Sequence, residues 1–327
     1  MGHYRKHYLI TGGAGFIGSH VVNALKADKD LLISCIDNFD PFYPRQLKQL
    51  NTEDWEKHQN ISVIDRDITG LSTEKLNKIL PQKVDAIIHL AAKAGVRPSI
   101  ADPLGYQQTN ILGTQVLLQF AKETGVPHFV FASSSSVYGV NKNLPWKEDE
   151  HLQPISPYAM TKLAGEMAGH VANHLTGIRF IALRFFTVYG PSQRPDLAIH
   201  KFVKAVEKGQ PISMYGNGST SRDYTYVDDT VKGILAAIHY TGSNFEIINL
   251  GNHYTVSLKE MIHTIEEVIG KKAIINQLPE QAGDVPHTFA DITKAEGLLN
   301  YHPTTKLKEG IQNFYQWFQQ YRELLMR

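Results

Sequence analysis

Cysteine is nearly absent: Cys35 is the single one in 327 residues. One thiol cannot form an internal disulfide, so a reducing cytoplasm is the expected compartment. Cys35 lies inside an apolar stretch, where core packing is its expected role. Long hydrophobic runs are missing too; none approaches the roughly 18 apolar residues of a membrane-spanning helix. The first strand-like segment begins at His7, and nothing before it reads as a signal peptide. Met1-Gly2 resembles the start of a myristoylation signal, but Lys6 stands where that signal needs Ser or Thr. An excess of one charge sign is also lacking. Net charge is +1 with 20% charged residues and no like-charge run, so neither nucleic acid nor a membrane surface is an expected partner. Histidines number 15, yet none sits in HExxH or another compact ligand spacing, so no metal is expected. His89 closes an apolar segment, Ala86 to Leu90, and reads as structural or cofactor-lining.

Glycine gives the first positive signal. His7-Tyr8-Leu9-Ile10-Thr11 reads as a short buried strand. Gly12-Gly13-Ala14-Gly15-Phe16-Ile17-Gly18 follows, then an apolar helical stretch from Ser19 to Ala27. Strand, glycine-rich turn and helix together are the context of a dinucleotide site. Gly12 permits the tight turn, Gly15 lets backbone approach a pyrophosphate, and Gly18 lets helix pack on strand. The helix N-terminus then faces the phosphates. The spacing is GxxGxxG, not GxGxxG. A second strand, Leu31 to Ile36, ends in Asp37, about 20 residues beyond the glycines. A carboxylate there accepts hydrogen bonds from ribose hydroxyls and repels a 2′-phosphate. No basic residue follows until Arg45, so NAD is expected and not NADP.

Strand-like and helix-like segments alternate onward. Ile61 to Ile64, Val84 to Leu90, Phe129 to Ala132 and Arg179 to Phe185 read as strands, with helices at Ser72 to Leu80 and Asn110 to Thr124. This alternation predicts an α/β fold: a Rossmann-type doubly wound parallel sheet wrapped by helices. Ligands bind outside the carboxyl ends of such strands. The glycines, Asp37, Asp67, Ala91 and the serine run Ser133 to Ser136 all fall at those ends. After Phe186 loops dominate. Helices are expected around Ile199 to Lys208, Val227 to His239, Ser257 to Ile269 and Leu307 to Arg322, and a strand at Phe245 to Leu250. We expect an NAD-binding Rossmann domain over 1–186 with a return segment at about 224–252. A smaller α/β nucleotide-sugar lobe is expected from 187–223 and 253–327.

Ser156-Pro157-Tyr158-Ala159-Met160-Thr161-Lys162 reads as a helix start, with Ser156 as N-cap and Pro157 at the first position. Tyr158 and Lys162, four apart, share one helix face. A free tyrosine has a pKa of about 10. A positive charge at roughly 4 Å is worth on the order of 4 kcal/mol at an effective dielectric near 20. That covers most of the drop of roughly three units a neutral-pH base needs. An ordinary amphipathic helix supplies YxxxK by chance, so the pair gains its meaning from the glycine turn and Asp37.

Across essentially its whole length the sequence resembles the extended short-chain dehydrogenase/reductase family, in its nucleotide-sugar epimerase branch. The matching segments are TGGAGFIGSH (11–20), IDN (36–38), HLAA (89–92), SSSSVYG (133–139), SPYAMTK (156–162), LRFFTVYG (183–190), SRDYTYVDD (221–229) and GDVPHTFAD (283–291). The resemblance implies a catalytic triad of Ser134, Tyr158 and Lys162. Tyr158 takes the proton of the sugar 4-hydroxyl, and Lys162 holds the nicotinamide ribose and lowers the tyrosine pKa. Hydride leaves C4 for NAD, the 4-keto sugar turns over, and hydride returns on the other face. The cofactor is regenerated each cycle and stays bound. Cofactor contacts are implied for Gly12, Gly15, Phe16, Ile17, Gly18, Asp37, Asn38, Asp67, Ile68, Leu90, Ala91, Ala92, Lys93, Asn110, Tyr158 and Lys162. A homodimer through a four-helix bundle is implied, built on the helices at Asn110 and Pro157.

Within the branch, 4,6-dehydratases and decarboxylases carry an acid just after the catalytic Ser/Thr. Here Ser135 and Ser136 stand there, so dehydration lacks its general acid and plain 4-epimerisation is favoured. Substrate contacts are implied for Arg97, Ser134, Ser135, Ser136, Thr187, Arg194, Arg222 and Asp284. Arg222 matches the diphosphate arginine and Asp284 the aspartate near the uridine ribose. Gln281 and the FFTVYG segment are similar to UDP-glucuronate 4-epimerases, in which an arginine follows in GRPDM. The corresponding stretch here is Gln193-Arg194-Pro195-Asp196-Leu197. Arg194 suits the planar C6 carboxylate of a uronic acid, with Thr187, Ser135 and Ser136 as hydroxyl donors. Ser192-Gln193 replaces the usual Trp-Gly, and some neutral-sugar epimerases have similar QRPD segments. Three readings follow: a UDP-glucuronate 4-epimerase; a UDP-glucose/galactose 4-epimerase accepting N-acetyl sugars because Thr288 is small; and a non-catalytic NAD-binding regulator, against which the intact triad argues.

Overall fold

The computed structural model describes residues 4–279 and 285–326. Six strands alternate with helices through the first half. They are β1 (Lys6–Thr11), β2 (Leu31–Asp37), β3 (Ile61–Asp65), β4 (Ala86–His89), β5 (His128–Ser134) and β6 (Arg179–Phe185). The helices between them are α1 (Phe16–Leu25), α2 (Arg45–Thr52), α3 (Thr73–Ile79), α4 (Val96–Ala101), α5 (Pro103–Gln107), α6 (Gly113–Thr124) and α7 (Pro157–Thr176). The second half holds β7 (Thr187–Tyr189), α8 (Ala198–Lys208), β8 (Pro211–Tyr215), β9 (Ser221–Tyr226), α9 (Val227–His239) and β10 (Phe245–Leu250). It ends with β11 (Thr255–Ser257), α10 (Leu258–Ile269), β12 (Ile274–Leu278), α11 (Thr293–Leu299), α12 (Leu307–Gln320) and α13 (Arg322–Leu325).

β10, β6, β5, β4, β1, β2 and β3 form one seven-stranded parallel sheet in that order. The order reverses at β1: the chain leaves β1 toward β2 on one side and leaves its paired neighbour β4 toward β5 on the other, which opens a crevice at their carboxyl ends. β2 and β5 are buried along their whole length, as parallel strands covered on both faces must be. The expected return of the chain to the main sheet is β10, paired with β6 from Phe245 to Leu250. β9, at the start of the expected return segment, instead joins β7 and β11 in a separate three-stranded sheet, and β8 pairs with β12. No described helix is long and apolar enough to cross a membrane.

The Asn110 helix is not one uniform α-helix. Gln108–Leu112 forms a π turn between α5 and α6. Such single turns are found where a side chain must be re-aimed. Here Asn110 is turned inward and buried.

Candidate active site

The glycine turn is a cradle with no room for a side chain. Gly12 has φ +72°, and a Cβ there would lie 2.6 Å from the Ala91 nitrogen. A Cβ on Gly18 would lie 2.2 Å from the Gly12 carbonyl oxygen, so that glycine lets α1 pack on the turn. α1 begins at Phe16 with Gly15 as its cap residue and no side-chain cap, so its first amide groups stay open to an anion. The turn opens onto a cavity of about 460 Å³ that runs along the carboxyl edge of the sheet. Gly12, Gly15, Phe16, Ile17, Gly18, Asp37, Asn38, Asp67, Ile68, Leu90, Ala91, Ala92 and Lys93 all line it, and so do Ser134, Tyr158, Lys162, Thr187 and Arg194. These residues fit a dinucleotide: a close backbone cradle at one end, a carboxylate at the end of β2, and apolar walls between.

Asp37 is held more firmly than its place at a strand end suggested. It accepts from the Ala14 amide at 3.2 Å and the Phe39 amide at 2.8 Å. The Lys48 ammonium lies 3.4 Å from the same carboxylate, with both side chains buried. A basic group therefore does stand beside Asp37, and it is Lys48; Arg45 pairs with Asp65 instead. α2 hid this partner, because its apolar residues are Leu47 and Leu50 while its single buried residue is the lysine between them.

Tyr158 and Lys162 sit on the first turns of α7, where the Ser156 hydroxyl accepts from the Ala159 amide at 3.1 Å. α7 lies very close to the sheet. A Cβ at Gly165 would fall 2.3 Å from the Phe131 ring, and one at Gly169 would fall 2.1 Å from the Phe180 ring. This close approach carries Lys162 to the end of β5, where its Nζ donates to the Ala132 carbonyl at 2.6 Å. Ser134 stands beside Tyr158, and its Oγ donates to Ser136 Oγ at 3.1 Å.

The electrostatics differ from the simple expectation. Lys162 Nζ is 5.9 Å from the Tyr158 ring centre, not at contact. Burial raises the Tyr158 pKa; the hydrogen bond with Ser134 and the charge of Arg194 oppose that rise. Burial also lowers Lys162 to about 7. Desolvation acts against the charged form of each group, and at this separation it outweighs their mutual attraction.

A buried network underlies the serines. Ser133 donates to Glu166, whose carboxylate receives Arg184 Nε and Nη2, each at 2.9 Å. Arg184 Nη1 donates to Tyr138 Oη at 2.9 Å, and Tyr138 donates to Asn249 at 2.7 Å. The ends of β5, β6 and β10 are tied together in this way directly beneath Ser134. Ser133 and Ser134 both line the cavity, but the Ser133 hydroxyl proton is committed to Glu166, so Ser134 is the serine beside Tyr158.

Two other side chains hold the catalytic helix against the loop after β4. Asn110 donates to Thr161 Oγ1 at 2.9 Å and to the Lys93 carbonyl at 3.0 Å, and it accepts from the Lys93 amide at 2.8 Å. It was expected to contact the cofactor; its hydrogen bonds are spent on this clamp and it is not in the cavity wall. Tyr106, which no motif singled out, donates to the Ala94 carbonyl at 3.1 Å and packs edge-on against Tyr158 at 6.3 Å. His89 is structural. Its ring nitrogens bond Thr11 Oγ1 at 2.7 Å and Thr114 Oγ1 at 3.0 Å, and burial lowers its pKa to about 3.

The substrate-side expectations divide. Thr187 and Arg194 reach the cavity. Ser135 and Ser136 belong to the tight turn after β5; neither is a wall residue itself, but Ser136 adjoins the wall, its hydroxyl accepting from Ser134 Oγ. Arg97 is exposed and stacks over Tyr215 at 5.7 Å. Arg222 donates to the carbonyls of Ser221 and Pro286, at 2.9 Å and 3.1 Å. Neither arginine lines the cavity. Thr288 accepts from the Asp223 amide at 3.2 Å and is also outside the wall. Asp284 and Gln281 lie outside the described residues.

Residues 9–314 match the profile of the family described as GDP-mannose 4,6 dehydratase. The UDP-glucuronate 4-epimerase of Thermodesulfobacterium geofontis is 38% identical over 321 residues, covering 98% of this chain and 98% of its own. The chain belongs to the SDR-type epimerase/dehydratase family. Among solved structures of the family, the UDP-glucuronic acid 4-epimerase of Bacillus cereus, in complex with UDP-glucuronic acid and NAD, superposes with a TM-score of 0.90. It is 38% identical, covering 96% of this chain and 99% of that one. The UDP-N-acetylglucosamine 4-epimerase of Methanobrevibacter ruminantium, in complex with UDP-N-acetylmuramic acid, superposes at 0.89 with 32% identity and coverages of 97% and 99%.

Proposed function

We propose that this family member is an NAD-dependent UDP-sugar 4-epimerase, an isomerase, and that its substrate pair is UDP-glucuronate and UDP-galacturonate. The observation that carries the choice of sugar is Arg194, whose guanidinium lines the same cavity as Tyr158, Ser134 and Thr187. Relatives named UDP-glucuronate 4-epimerase support the same reading.

The residues that hold NAD are the glycine cradle, Asp37 and the wall formed by Asp67, Ile68 and Leu90 to Lys93. When bound, NAD supplies the acceptor and donor of the C4 hydride. Tyr158 takes the proton of the 4-hydroxyl at its phenol oxygen and later returns it, with Ser134 bonded to the same oxygen. Lys162 supplies positive charge when protonated, and its Nζ is fixed by the Ala132 carbonyl. No carboxylate stands at Ser135 or Ser136, so no proton is delivered for loss of water from the sugar. The reaction therefore ends at an inverted C4.

A neutral UDP-hexose is the second reading, favoured by the ion pair that Arg194 already makes with Asp196. Incubation of purified protein with UDP-glucuronate, UDP-glucose and UDP-N-acetylglucosamine, followed by proton NMR, decides between them. Conversion of UDP-glucose without conversion of UDP-glucuronate refutes the first reading. For assembly we propose a homodimer through a four-helix bundle. The exposed stripe Met167, Val171 and Leu175 on α7, with exposed Leu112 just before α6, supports that face.

A further inference from the structure

Arg194 does not present a free fork to the cavity. Its Nε donates to Asp196 Oδ1 at 2.9 Å and its Nη2 to Asp196 Oδ2 at 2.6 Å. The second Nη2 hydrogen points to the Ala94 carbonyl at 3.3 Å. The guanidinium plane lies over the Phe42 ring at 5.1 Å. The edge that grips a carboxylate with two parallel bonds is thus taken by a residue two positions along the chain. Nη1 has no hydrogen-bond partner among the described residues, and it is the donor left for a ligand. Asp196 itself is not part of the cavity wall.

Two physical consequences follow. A ligand carboxylate meets Nη1 and the neighbouring hydroxyls, not a two-point clamp. It also feels a guanidinium whose charge is offset by an adjacent carboxylate, so the net pull on an anion is reduced.

We infer that Asp196 is a specificity-determining residue: by pairing with Arg194 it weakens the preference of the site for a C6 carboxylate over a neutral C6 group. The inference rests on the reading that Arg194 faces C6 of the sugar. It differs from that reading in assigning the strength of the preference to a residue that never touches the substrate. Asp196 holds Arg194 in place and at the same time competes with the substrate for it.

The test is the affinity of NAD-loaded protein for UDP-glucuronate and for UDP-glucose, measured by calorimetry in a Tyr158→Phe background so that neither sugar is turned over. Asp196→Asn removes the charge and keeps an acceptor for Arg194. It is expected to tighten UDP-glucuronate by about fivefold or more, with UDP-glucose within about twofold of the parent. An unchanged or reduced UDP-glucuronate to UDP-glucose preference overturns the inference. Arg194→Gln, measured alongside, separates the two layers. If it selectively weakens UDP-glucuronate while Asp196→Asn changes nothing, Arg194 faces C6 and the role given to Asp196 is wrong. If Arg194→Gln leaves the preference unchanged, the placement of C6 fails and the inference fails with it.

Discussion

Glu166→Ala exposes how much depends on the buried ion pair beneath the serines. Arg184 and Glu166 have side chains only 1% and 2% exposed. The carboxylate receives two arginine donors and the Ser133 hydroxyl. Truncation leaves a guanidinium in the core with Tyr138 and the Glu148 carbonyl as its remaining hydrogen-bond partners among the described residues. Removing one member of such a pair costs about 3–5 kcal/mol, because the other charge stays desolvated. At about 2 °C per kcal/mol for a chain of this size, the melting temperature should fall by about 6–10 °C. The double variant Glu166→Met, Arg184→Met removes both charges and should recover most of that loss. Differential scanning calorimetry of the parent and the variants is the assay. A fall of under about 2 °C for Glu166→Ala, or a double variant no better than the single one, refutes the reasoning.

Three further outcomes are expected. Gly12→Ala places a Cβ against Ala91 in a left-handed turn and should purify without bound NAD. Gly125→Ala, with φ +68° but open space around it, should lose only about 1–2 kcal/mol of stability and keep its cofactor, as read by absorbance of the released nucleotide. Arg194→Ala should cut UDP-glucuronate turnover by about tenfold or more while leaving neutral sugars within about threefold; equal loss on both, in a coupled assay, means the arginine serves a part common to both. His89 stays neutral down to about 3, whereas the unfolded chain protonates near 6.5. The unfolded state therefore binds more protons in that window. Stability is full above it and falls as pH drops through it, by on the order of 5 kcal/mol over the whole window from His89 alone. Urea melts at pH 7 and pH 4 should show a smaller acid loss for His89→Gln than for the parent.

Much of this was legible because period and punctuation agreed. The strand–glycine–helix opening, the Ser156 cap and the alternation of β1 to β6 each have local causes, and the structure has each element. What local pattern could not show was partnership across the chain. Lys48 beside Asp37 and Tyr106 against Tyr158 are contacts between side chains on different elements, and no spacing announces them. Asn110 fell on an apparently regular helix, and the π turn that aims it inward leaves no sequence mark. Ser135 and Ser136 were grouped with Ser134 by adjacency; in the turn after β5 only Ser134 lines the cavity, with the Ser136 hydroxyl bonded behind it. The base was assigned its charge partner from one helix face, although burial governs both pKa values.

The claim at the centre is that Tyr158 moves only the hydroxyl proton while the C4 hydrogen never leaves the site. UDP-glucuronate incubated with purified protein in D₂O tests it directly, read by proton NMR and mass spectrometry of the sugars. UDP-galacturonate with its C4 hydrogen fully retained, and formed without added NAD, is the predicted result. Deuterium at C4, or no inversion with any UDP-hexose by a protein shown to hold NAD, contradicts it.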